Sequence, residues 1–180
     1  VKARDSFTNF LLFKNLSLED LSEVRLLLEP YIAAKATPVI TQEDLHRLEK
    51  LIKDSEHAMK NHLSTASRQD EIEFHRIIAS ITGNPILMFI LDFVESLLMD
   101  TKEILSPGTE FSGKVLKAHK RIYNAFLERN VKKVHEEMVR HIREVEKDLV
   151  AANKGRRIEK QRVERIGRRK ESIPIFSRKV

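Results

Sequence analysis

Apolar side chains along this chain recur at intervals of three and four residues, the spacing that lines one face of a helix, and no strand-like alternation or internal repeat interrupts them. Ser17 with Asp20 three residues later reads as an N-cap pair, and Leu18, Leu21, Val24, Leu28 and Ile32 carry a first helix as far as Thr37 and Pro38. Thr41 with Asp44 repeats the capping pattern ahead of Leu45, Leu48, Ile52, Ser55, Met59 and Leu63, with a break expected at Ser64 to Ser67. A third helix carries Phe74, Ile77, Ile78 and Ile81 and closes at Gly83, which suits a left-handed C-cap. Asn84 and Pro85 then restart the chain as N-cap and first helical residue. The fourth helix, Pro85 to about Leu105, is apolar on nearly all sides, which places it centrally or at a subunit interface. Past a loop at Ser106-Pro107-Gly108, Val115, His119, Ile122 and Phe126 mark a fifth helix. A turn at Asn130 leads to a sixth along Val134, Met138, His141, Val145 and Leu149. The fold class is all-α.

Polar residues on the apolar stripes carry the candidate chemistry. Arg25 lies between Leu21 and Leu28, so its guanidinium points where an apolar side chain belongs; it either pairs with an internal carboxylate or awaits an anion. His75, His119 and His141 sit on the inward faces of three separate helices, and Glu71 lies four residues before His75, one turn away on the same face. A lone histidine on such a stripe is ordinarily a hydrogen-bonded core residue. Three of them, with a carboxylate beside one, bury enough polar surface that a shared ion is the economical explanation. Three imidazoles and a carboxylate without sulfur suit Zn, Ni, Mn or Fe and leave one or two positions for water or an exogenous anion. The other histidines, His46, His57, His62 and His135, fall off the stripes and read as solvated.

Composition narrows the setting. The 180 residues contain no cysteine, so disulfides and thiolate ligands are excluded, and a reducing cytoplasmic compartment is expected. No apolar run approaches the roughly 20 residues that span a bilayer, and no signal peptide opens the chain. The net charge of +6 is unevenly spread: residues 154–180 hold 11 Lys or Arg against 3 Asp or Glu, whereas residues 1–153 hold 22 against 24. The body is thus slightly acidic and is not expected to be the main contact for a phosphate backbone. A charge run of this kind is usually a solvated end, with DNA or RNA contact as the sharper alternative.

Enzyme motifs are scarce. A di-iron bundle needs paired E-x-x-H motifs and only Glu43-x-x-His46 fits; H-E-x-x-H, G-x-S-x-G and a phosphate loop are absent. A His and carboxylate metalloenzyme and a metal-free helical interaction module remain as alternatives from other classes.

Several short motifs resemble those of the FadR-type C-terminal ligand-binding (FCD) domain of GntR-superfamily bacterial transcription regulators: Val24-Arg25-x3-Glu29-Pro30, Glu71-x2-Phe74-His75-Arg76 with Gly83-Asn84-Pro85, Ala118-His119-x2-Ile122, and Met138-x2-His141. The resemblance spans about residues 17 to 152. It implies an antiparallel bundle of six or seven helices that forms a homodimer and binds a small carboxylate effector, often through a buried metal held by Glu71, His75, His119 and His141. Arg25 corresponds to a first-helix arginine suited to an effector carboxylate. The chain departs from the family at Glu71, where Asp is usual, and in its basic tail. The expected organisation is a linker over 1–16 from an upstream winged helix-turn-helix that would bind DNA, a metal- and effector-binding domain over 17–153, and a basic extension over 154–180.

Overall fold

A computed structural model describes the backbone of residues 17–61, 64–105 and 108–171 and the side chains of residues 17–61, 69–99 and 108–154. Among them lie six helices and no strand: α1 (Leu18–Ala36), α2 (Gln42–Lys60), α3 (Ser64–Ile81), α4 (Pro85–Leu105), α5 (Gly108–Leu127) and α6 (Val131–Glu171). The all-α class read from the periodicity is the observed one. None of these helices is long and apolar enough to cross a membrane. The expected linker at 1–16, His62, Leu63, the loop residues Ser106 and Pro107, and the end of the tail from 172 lie outside the described residues.

Local chemistry accounts for where the helices begin and end. The Ser17 N–H donates to Asp20 Oδ2 at 2.8 Å while the Asp20 N–H donates to Ser17 Oγ at 3.0 Å, and Thr41 with Asp44 forms the same reciprocal box. Each satisfies N–H groups that a helix start leaves without an internal partner. At the end of α3, Gly83 adopts φ 64°, a left-handed conformation that a side chain would oppose. Asn84 Oδ1 then accepts from the backbone N–H groups of Ile86 and Leu87 at 3.0 and 3.3 Å and opens α4. Asn130 does the same for α6, accepting from the Lys133 N–H at 3.0 Å.

One boundary differs from the sequence reading. The chain turns at Asn61, and Ser64 already belongs to α3, so the Ser64–Ser67 run opens a helix instead of separating two. Short hydroxyl side chains compete for backbone groups, which makes them poor helix interiors and good first turns, and the run alone does not say which side of it is helical. The sixth helix passes Gly155 without a break and reaches Glu171. The entropic penalty of one glycine, about 1 kcal/mol, is small against the propagation of a helix already 24 residues long. Conversely α1 continues through Pro30, whose ring is buried. The lost hydrogen bond there is offset by the burial of Leu18, Leu21, Ile32, Ala33 and Ala36.

α1 packs along α6, α2 lies against α3 and α5, and α4 packs on α1 and α3. α4 is less central than its composition suggests: Leu91, Val94, Leu97 and Leu98 are buried, but Ile86, Met88 and Phe89 are exposed. The larger core cluster includes Ile32, Leu48, Phe74, Ile78, Ile122, Phe126, Met138 and Ile142. A second contains Leu18, Leu98, Phe111, Val115, Val145 and Leu149. On α5 and α6 the successive inward positions Val115, His119, Ile122 and Met138, His141, Val145 pass from one cluster to the other. The two histidines therefore form a polar layer between two apolar ones.

Candidate metal centre

Three helices deliver one histidine each to that layer. His75 of α3, His119 of α5 and His141 of α6 are all buried, and each offers a ligand nitrogen within 4.8 Å of the others. Their ring centroids stand 4.9 to 5.2 Å apart. Nε2 of His75 lies 3.2 Å from Nε2 of His141. Two imidazole nitrogens bound to one ion at the usual bond length, and separated by an octahedral or tetrahedral angle, lie about 2.8–3.4 Å apart. The observed spacing falls in that interval, and the donor set is one that Zn, Ni, Mn or Fe accepts, so these residues fit a transition metal. Phe74 stacks on the His119 ring at a centroid distance of 4.0 Å and an interplanar angle of 7°, which fixes the plane of that imidazole.

A buried charge network adjoins the histidines. The Arg25 Nε–H donates to Glu29 Oε1 at 2.5 Å, and Arg25 Nη2 lies 3.1 Å from Glu95 Oε1. The second oxygen of Glu29 lies 2.7 Å from Nδ1 of His75. One glutamate thereby joins the guanidinium on α1 to a candidate ligand on α3. Glu29, His75 and Glu95 also bring ligand atoms within 4.8 Å of one another. The cation already serving that second group is Arg25, whose guanidinium contacts both carboxylates. Burial alone would push the Arg25 pKa down; the charges of Glu29 and Glu95 outweigh it and raise it, so the guanidinium stays charged. Burial would likewise push the Glu29 carboxyl up, but the charge of Arg25, and hydrogen bonding to it, hold it well below the usual carboxylate range.

The other sequence candidates take the following places. Glu71 is buried one turn before His75, and its charge contributes to holding Arg25 ionised; the mutually close ligand atoms are those of the three histidines, without Glu71. Arg25 is buried and engaged by Glu29 and Glu95. His46, His57 and His135 are exposed, as their positions off the stripes indicate. Sequence reasoning assigned no role to Glu29 or Glu95. A signal existed for each: Glu29 follows Arg25 by one helical turn, and Glu95 interrupts the run Phe93, Val94, Leu97, Leu98 with a charge that must find a partner.

Comparison with known proteins identifies the family of the fold. The FCD domain model matches residues 20–144. The chain is 34% identical over 129 residues to YcbG of Bacillus subtilis (strain 168), described as an HTH-type transcriptional regulator, covering 71% of this chain and 52% of that protein. It is 29% identical over 141 residues to the HTH-type transcriptional regulator LutR of the same organism, covering 76% of this chain and 64% of LutR. These relatives are regulators, not enzymes, and the chain spans roughly half to two thirds of their length. Among solved structures, Streptococcus agalactiae GntR superposes with a TM-score of 0.63 at 31% identity, covering 72% of this chain and 58% of that one. Escherichia coli McbR/YncC shares the fold, with a TM-score of 0.69 at 15% identity over 74% of this chain and 64% of the other. With six helices bundled among the described residues and a family model that matches residues 20–144, this chain belongs to the FCD domain family.

Proposed function

We propose that this chain is the metal-dependent effector-sensing domain of a dimeric GntR-type transcription regulator, and that the effector is a small carboxylate. The observation that carries the reading is the convergence of His75, His119 and His141, all buried, on one point between two apolar layers. A metal held by these nitrogens supplies a Lewis-acidic position at which an acid's oxygen completes the coordination. Glu71 adds a fourth ligand by turning its carboxylate toward the histidines. Arg25 contributes to effector binding at Nη2, where the incoming carboxylate exchanges with Glu95; its Nε end stays with Glu29.

In this reading the DNA-binding module is a helix-turn-helix outside residues 17–171, in keeping with the HTH-type relatives of which this chain spans only part. A second copy of the chain covers the exposed apolar side chains of α1 and α4, two helices that pack together: Leu27 and Tyr31 on the first, Ile86 and Phe89 on the second. Effector binding shifts the balance between two placements of the paired domains and thereby the spacing of their DNA-binding modules. The regulator works in the cytoplasm.

Calorimetric titration of mono-, di- and tricarboxylates into zinc-loaded and chelated protein tests the proposal. Binding that requires the metal and weakens in Arg25→Lys supports it; acids that bind equally well in chelator, or no acid binding to the loaded protein, would remove metal-dependent carboxylate sensing.

A further inference from the structure

We infer that Glu29 is a positioning residue of the histidine site: it fixes His75 with the proton on Nδ1, so that Nε2 is the nitrogen available for a metal. The inference deepens the metal reading and rests on it for the predicted affinity, whereas the tautomer is a property of the metal-free chain.

Both oxygens of Glu29 are engaged. Oε1 accepts from the Arg25 Nε–H at 2.5 Å, and Oε2 accepts from Arg25 Nη2 at 3.4 Å and lies 2.7 Å from His75 Nδ1. An ionised carboxylate 2.7 Å from a ring nitrogen repels a lone pair there, so the proton is placed on Nδ1. Nε2 of the neutral imidazole is then left with its lone pair, and it is this atom that lies 3.2 Å from His141 Nε2. A ligating histidine whose other nitrogen donates to a carboxylate is oriented before the metal arrives.

The carboxylate is itself held. Arg25 lies one turn before it on α1, and its guanidinium reaches across to Glu95 on α4, with the side chains of Arg25, Glu29, His75 and Glu95 all buried. Glu29 therefore brings α1, and Arg25 with Glu95 brings α4, into contact with a site whose histidines come from α3, α5 and α6. The rival reading is that Glu29 serves only as counter-ion to Arg25 and its contact with His75 has no consequence for the ring.

Glu29→Gln separates the two readings. Arg25 offers only donors, so the carboxamide oxygen takes the place of Oε1 against its Nε–H, the shorter of its two contacts with Glu29. The amide NH2 then faces His75 Nδ1 and requires that nitrogen to accept, which moves the ring proton to Nε2. Long-range 1H–15N correlation spectra of the full chain in chelator report the tautomer directly, and zinc titration against a competing chelator reports affinity. The expected results are a Nδ1–H tautomer for His75 in the wild type, a Nε2–H tautomer in Glu29→Gln, and a zinc affinity about 10–100-fold lower in the variant.

A Nε2–H tautomer in the wild type overturns the inference, even if Glu29→Gln does not fold. So does a variant that keeps the Nδ1–H form and the wild-type zinc affinity. If the tautomer inverts as expected but the wild type takes up no zinc, Glu29 still orients His75 and it is the metal reading that fails.

Discussion

At the scale of single residues, the account depends on buried charges that are satisfied only together. Arg25 is enclosed by Glu29 and Glu95, and Glu29 is shared with His75. Replacing Arg25 with Met leaves two buried carboxylates without their cation, so a loss of about 3–5 kcal/mol in urea unfolding is expected; a loss under 1 kcal/mol would mean that the network is solvated in solution. The histidines were legible in the sequence because each occupies a place in an apolar period that an apolar residue would normally fill. Arg25 was legible for the same reason. Their partners were not: a spacing of four puts Glu29 near Arg25 but cannot say that its second oxygen meets His75 from another helix. Glu95 acquires its role only when α4 packs on α1. One-dimensional periodicity shows that a polar side chain is buried and leaves its partner to tertiary packing.

At the scale of helices, the capping residues decide the boundaries. Gly83 sits at φ 64° with open space around its α-carbon, so Gly83→Ala carries the cost of the left-handed backbone without a steric clash. That cost is about 1–2 kcal/mol, and a fall of roughly 2–8 °C in melting temperature should follow. An unchanged melt would show that the turn relaxes freely. Asp20 provides a pH test of α1. The Ser17 backbone N–H, then its hydroxyl, hold the Asp20 carboxyl below the usual carboxylate range. The stabilisation of the helix start is therefore present above that range and is lost as pH falls through the lowered value. An NMR titration should place the Asp20 midpoint below that of an aspartate in an unfolded peptide; a midpoint at or above it would contradict the capping box. Both N-caps and the Gly-Asn-Pro junction could be read because they use contacts within four residues. The start of α3 could not be placed from a Ser/Thr run, which is compatible with either side of a helix boundary. The reach of α6 exceeded its apolar stripe because the stripe reports packing against the body, whereas a helix can propagate beyond it.

At the scale of the molecule, the bundle places one polar layer between two apolar clusters and leaves apolar side chains exposed on α1 and α4. If those side chains form the contact with a second copy, Phe89→Glu should yield a monomer by light scattering while far-UV circular dichroism is retained; a dimer that persists unchanged would place the contact elsewhere. The helices among the described residues and their class could be read from periodicity, but which helices pack together, and so which face remains open, depends on contacts distant in sequence. The most direct test of the central claim is the metal content of the untagged chain, wild type beside His119→Ala, with thermal melts before and after chelation. The account predicts about one equivalent of a transition metal in the wild type, its loss in the variant, and a lower wild-type melting temperature in chelator. No metal in either protein, with melts indifferent to chelator, would contradict it and leave His75, His119 and His141 as a polar core network.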